Sequence, residues 1–195
     1  GSHGIYFFSR VQGFEVDTNT VGLNGTRDAP LPNGGDGMRF SGASGGSNYP
    51  RQTTIEGCTI SGNTGSGIYC HACKDQEVFS NFIGTNALGA AGLGNGEEGI
   101  YLYASWYHHV EDWTIGSGDP ADANQLANNL GDGIRLRRGV GSSQNRENNI
   151  GINTFGGNGG LAIDLEGYAT GDGPLVPGPN NCSNNSRNNS IQYTL

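Results

Sequence analysis

The sequence predicts an all-β solenoid of about five to six stacked coils. Three observations carry that expectation: a composition built for turns, a short marker recurring about every 32 residues, and strand-like alternation after each marker. The chain has 195 residues, of which 36 are Gly, and 22 Asn can be counted along it. Hydrophobic residues make up only 33%. Such a composition excludes a helical bundle, which needs long stretches rich in Ala, Leu, Glu and Lys. Collagen is excluded as well, because Gly has no three-residue period and Pro numbers seven.

The marker is Gly followed by Ile or Met. It stands at Gly4-Ile5, Gly37-Met38, Gly67-Ile68, Gly99-Ile100 and Gly133-Ile134, and a sixth unit is expected to begin at Gly160-Leu161. Coils therefore start near residues 4, 37, 67, 99, 133 and 160 within a domain spanning 1–182. Residues 183–195 are left as an Asn/Ser-rich tail or terminal cap. A second marker, Ile or Val before Gly, falls at Val21-Gly22, Ile83-Gly84, Ile115-Gly116 and Ile150-Gly151. Its counterpart in the second unit is Ile60-Ser61-Gly62, displaced by an insertion around residues 42–50.

The alternation is plainest in Gly99-Ile100-Tyr101-Leu102-Tyr103-Ala104 and Gly133-Ile134-Arg135-Leu136-Arg137. Ile and Leu point one way, Tyr and Arg the other, as in a strand with one buried face. No unit of this length closes a core alone, whereas stacking the units buries one continuous apolar column. Ile5, Met38, Ile68, Ile100 and Ile134 are expected to form it. Gly and Asn suit the corners, since both tolerate left-handed backbone. Asn19, Asn81 and Asn148 precede the second marker by two residues and suggest an Asn ladder, broken by Cys58 and Trp113.

Asn81-Phe82-Ile83-Gly84-Thr85-Asn86 with Gly94-Asn95-Gly96-Glu97-Glu98-Gly99-Ile100 resembles the repeat of right-handed parallel β-helix proteins, found in large secreted or surface-attached bacterial chains. Residues 156–165 and 178–181 resemble the segment that ends such arrays. The resemblance spans roughly residues 4–182. It implies a right-handed parallel β-helix, secreted or at the cell surface, belonging to a longer chain. Enzymes of this fold include polysaccharide lyases and glycoside hydrolases.

Function is read from the outward face. Stacked positions two and four after the marker bring Tyr69, His71, Tyr101, Tyr103, Arg135 and Arg137 onto three consecutive coils. Aromatic faces pack on sugar rings, and Arg forks pair with carboxylates. These six are the carbohydrate-binding candidates. The plain alternative is a cross-strand ladder of residues that favour β-structure. The leading expectation is a non-catalytic module of an exported protein, acting as a structural stalk or as a polysaccharide-contacting, adhesive surface. The rival is a polysaccharide lyase or glycoside hydrolase of the parallel β-helix type, in which Arg135, Arg137 and His71 would carry the chemistry. No catalytic residue is otherwise assignable.

The residue before each marker Gly gives weak calcium candidates at Asp36, Glu98 and Asp132. No other cofactor or metal is expected. The CxxC of Cys70 and Cys73 lacks the second ligand pair of a zinc site, so Cys70, which shares the parity of Ile68, is expected to be buried. With a net charge of −8, a nucleic-acid partner is not expected. No run of residues has the length and apolarity of a membrane-inserting segment.

Overall fold

The computed structural model describes residues 2–43, 48–104, 108–139, 145–166 and the short strand Ser190–Ile191. Within these residues the fold is a parallel β-helix. Strands of successive coils pair in parallel in three sheets that run along one axis. The first sheet contains Ile5–Phe8, Met38–Ser41, Ile68–His71, Ile100–Ala104, Ile134–Arg138 and Ile163–Glu166 in axial order. The second follows the path Gln12–Asp17, Arg51–Glu56, Cys73–Phe79, Val110–Ile115, Asn149–Ile150 and Ser190–Ile191, with Asn145–Arg146 also pairing with Val110–Ile115. The third is short: Thr20–Val21, Thr59–Ile60, Phe82–Ile83, Asn124–Ala127 and Asn153–Gly156.

The expected aliphatic column is present. Ile5, Met38, Ile68, Ile100 and Ile134 are register partners from coil to coil. The last four of these are fully buried. Two residues on, Phe7 and Phe40 stack with ring centroids 4.5 Å apart, and Cys70, Leu102 and Leu136 continue that row. Full burial of such side chains contributes about 1.5–3 kcal/mol each.

Two positional expectations need correction. The sixth coil does not start at Gly160-Leu161, because Ile134 pairs with Ile163 and Arg135 with Asp164. The marker there is Ala162-Ile163, two residues later, so the parity is kept but the outward partners become Asp164 and Glu166. The second marker also divides between two sheets. Val21, Ile60 and Ile83 stack in the third sheet, whereas Ile115 stacks on Val78 and Ile150 in the second. The cause is the corner between the first and second sheets. Residue 72 alone separates Ile68–His71 from Cys73–Phe79, whereas five positions separate Ile100–Ala104 from Val110–Ile115, and the added length moves Ile115 out of step with Ile83.

The Asn ladder exists, with different members. Asn81 Nδ2 donates to Asn124 Oδ1 at 2.9 Å, and Asn124 Nδ2 to Asn153 Oδ1 at 2.8 Å. Cys58 does interrupt this row, its backbone N–H donating to Asn81 Oδ1. Trp113 and Asn148 belong to another slot, where Asn148 Oδ1 accepts from the Trp113 N–H. A second, longer ladder runs through Asn33, Asn63, Asn95, Asn129 and Asn158, each amide donating to the next at 2.8–3.0 Å. Each of these Asn stands four residues before a first-sheet marker. The marker Gly explains itself beside it. A Cβ on Gly67 would lie 2.7 Å from the Gly99 carbonyl, 2.8 Å from Ile83 Cγ2 and 2.9 Å from Asn95 Nδ2, so no side chain fits.

Candidate functional site

The outward side chains of the first sheet form two axial rows. One reads Tyr6, Arg39, Tyr69, Tyr101, Arg135 and Asp164; the other reads Phe8, Ser41, His71, Tyr103, Arg137 and Glu166. All six carbohydrate-binding candidates are therefore brought together, each partly exposed. Parallel in-register pairing sets like positions about 4.8 Å apart, close enough for ring contacts between neighbouring coils.

The rings are held by one another. Tyr69 meets Tyr101 edge-on at 5.3 Å, His71 stacks on Tyr103 at 5.5 Å, and Tyr101 lies 6.0 Å from Tyr103. The Arg39 guanidinium sits 4.2 Å above the Tyr69 ring, and Arg135 and Arg137 stand 5.3 and 5.7 Å from Tyr101 and Tyr103. Burial lifts the Tyr69 phenol to about 12 and raises Tyr101 too, so both remain neutral donors. Burial, with His108 and Arg39 nearby, lowers His71. Its ring also contacts His108 at 5.2 Å.

The two arginines are committed within the protein. Arg135 pairs with Glu98 at 2.7 Å and Glu166 at 2.5 Å, with Asp164 at 3.9 Å. Arg137 pairs with Glu166 at 3.3 Å and approaches the Tyr101 hydroxyl at 3.5 Å. Burial lowers the Arg135 pKa, but the Glu98 and Glu166 hydrogen bonds outweigh it and the net shift is upward. Arg137 rises chiefly through the Tyr101 hydrogen bond. A general base must release its proton near the working pH, and these shifts move both groups away from that task. The lyase role suggested for them from sequence thus has no support in their surroundings. The same pairing leaves them little charge to offer a ligand carboxylate.

The sequence overlooked the acids that close this face. Asp132 and Asp164 are raised, each first by burial. Asp164 and Glu166 pair with Arg135 and Arg137, and the two-residue shift of the sixth marker hides that register in the sequence.

The calcium candidates are spread along the axis and occupied by other tasks. Asp36 accepts from the Ser66 N–H and pairs with Arg39 and His3. Glu98 accepts from Ser66 Oγ and pairs with Arg135, and Asp132 accepts from the Leu161 N–H. Among the described residues no three His, Cys, Asp or Glu side chains group as metal ligands.

Cys70 and Cys73 are buried and joined to each other across the one-residue corner at Ala72, which takes φ +63°. Cys58 is a buried free thiol whose pKa is raised by burial. Cys182, Trp106, Tyr107, residues 178–181 and nearly all of the 183–195 tail lie outside the described residues.

No protein-family model and no curated protein matches this chain. Among solved structures it is similar to the Azotobacter vinelandii mannuronan C-5 epimerase AlgE4 A-module, at 16% sequence identity and a TM-score of 0.47. The match covers 88% of this chain and 48% of the other, so the chain spans about half the length of that structure.

Proposed function

We propose that this chain is a β-helical module of an exported protein whose first sheet contacts polysaccharide, serving at once as stalk and as adhesive surface. The observation that carries the reading is the in-register aromatic block of Tyr69, Tyr101, His71 and Tyr103, partly exposed and fixed by mutual ring contacts. Rings already held in place lose little freedom when a sugar packs on them. The Cys70–Cys73 link supports an oxidising, exported setting, where such bonds persist. A flat sheet face excludes little water, so affinity is expected to be modest, about micromolar to millimolar.

The test is titration with soluble oligosaccharides, comparing the parent with Tyr101→Ala/Tyr103→Ala. Both side chains point outward, so the fold should survive. Loss of binding with an unchanged circular dichroism spectrum supports the reading. A double variant that binds as the parent does would make the face purely structural. Release of unsaturated or reducing sugar ends by the parent would instead favour a polysaccharide-degrading enzyme.

A further inference from the structure

Arg135 and Arg137 of the aromatic face are neutralised by Glu98, Asp164 and Glu166, whereas Arg10, Arg27, Arg51 and Arg138 have no carboxylate partner among the described residues, and of these Arg10 and Arg51 share one pocket. Arg10 and Arg51 form no ion pair among the described residues. Each guanidinium is instead held at Nε by a neutral side-chain oxygen. Arg10 donates to Asn48 Oδ1, and Arg51 donates to Gln12 Oε1 at 2.9 Å. Their terminal nitrogens make no hydrogen bond among the described residues. With Gln12 and Tyr49 they line one cavity of about 320 Å³.

The placement follows from the fold. Arg10 lies in the corner between the first and second sheets of the first coil. Arg51 opens the second-sheet strand of the next coil, in register with Gln12. Tyr49 precedes that strand, and its ring lies 5.3 Å from Lys74 Nζ of the third coil. Both arginines are exposed, line the same pocket and have no acid partner among the described residues, although the chain carries a net charge of −8. Oriented guanidinium forks beside an aromatic ring match a carboxylate or sulfate carried on a sugar. The row Phe8, Ser41, His71 and Tyr103 ends the first sheet beside this same corner, and His71 touches His108 of the corner two coils on, so the cavity and the aromatic block border one edge.

The geometry points to Arg10, Arg51, Tyr49 and Gln12 as an anion subsite that reads the acidic groups of a polysaccharide whose rings pack on the aromatic block. This rests on the glycan-contact reading and adds its charge class: the ligand is a uronate or sulfated chain.

The experiment compares an oligogalacturonate with its fully methyl-esterified, neutral counterpart by calorimetric titration. The parent should bind the acidic form about tenfold or more tightly, as expected for charge-assisted hydrogen bonds, and the preference should shrink with added salt. Arg10→Gln/Arg51→Gln should erase the preference while keeping the binding of the neutral form. Tyr101→Ala/Tyr103→Ala should weaken both forms. An Arg double variant that keeps the full acidic preference overturns the subsite. If the parent binds neither form, the glycan reading falls, and the pocket is judged separately by nuclear magnetic resonance with inorganic sulfate. Shifts of the Arg10 and Arg51 Nε–H signals on adding sulfate then support an anion site. No such shifts overturn it.

Discussion

Two corners of the coil behave differently. The approach to the first sheet keeps one spacing in every coil: an Asn, three residues, then the marker, as in Asn33–Gly37, Asn63–Gly67, Asn95–Gly99, Asn129–Gly133 and Asn158–Ala162. The sequence interval from a first-sheet strand to the second-sheet strand that follows varies, from residue 72 alone in the third coil to residues 42–50 in the second. The constant corner carries a continuous amide ladder, buried at Asn63, Asn95 and Asn129, in which each coil hydrogen-bonds to the next. Among its described residues the variable corner includes Arg10, Tyr49, His108 and His109, with Lys74 just beyond it in the strand Cys73–Phe79. Repetition is enforced where each coil must hydrogen-bond to the next.

The largest effect is expected inside the ladder. Asn95 is fully buried, donates to Ile60 O and Asn129 Oδ1, and accepts from Asn63. Asn95→Ala strands several buried polar groups at once and should cost about 3 kcal/mol or more in chemical denaturation. A loss under about 1 kcal/mol would show that the ladder is incidental to stability.

An intermediate effect separates the corners by pH. Asn does not titrate, but His71 borders the variable corner and His109 lies in it, both lowered from 6.5 mainly by burial, with His108 and the cations Arg39, Arg146 and Lys74 adding to it. A folded-state pKa below the unfolded one means that the unfolded chain binds protons first. Stability from these groups is therefore complete above 6.5 and is lost as pH falls below that value. His71→Gln/His109→Gln should flatten this part of the stability curve, measured by thermal unfolding across pH. An unchanged slope would place its origin elsewhere, His3 being the other lowered histidine.

The smallest effect should come from lengthening the variable corner. Three residues inserted between Ser9 and Arg10 double that corner from three to six, at a cost of about 0.6 kcal/mol. The same insertion between Glu97 and Glu98, inside the constant corner, should disrupt the stack. Equal costs at the two places would abolish the distinction.

Much of this was legible in the sequence, for physical reasons. A first-sheet strand starts at a fixed distance from the Asn corner, so marker period and side-chain parity read directly as register, and Ile68, Ile100 and Ile134 stack as expected. The second sheet starts after the variable corner, so sequence offset ceased to report spatial position there. Ile115 looks equivalent to Ile83 by counting and is not. Gly160-Leu161 imitates a marker two residues before the true one because Gly is abundant throughout the segment. The Asn four residues before each marker was readable and would have corrected the sixth coil, since Asn158 points to Ala162. The ion pairs of Arg135 could not be read, because Glu98 and Glu166 come from different coils.

The most direct test is a backbone and side-chain chemical-shift map of the protein titrated with oligogalacturonate. The account predicts perturbations along one edge: Tyr69, His71, Tyr101 and Tyr103 on the first sheet, Arg10 and Tyr49 at the variable corner, and Arg51 at the start of the second-sheet strand beside it. Signals of Asn63, Asn95 and Asn129 should stay unmoved. Perturbations confined to other surfaces, or centred on the Asn corner, would contradict it.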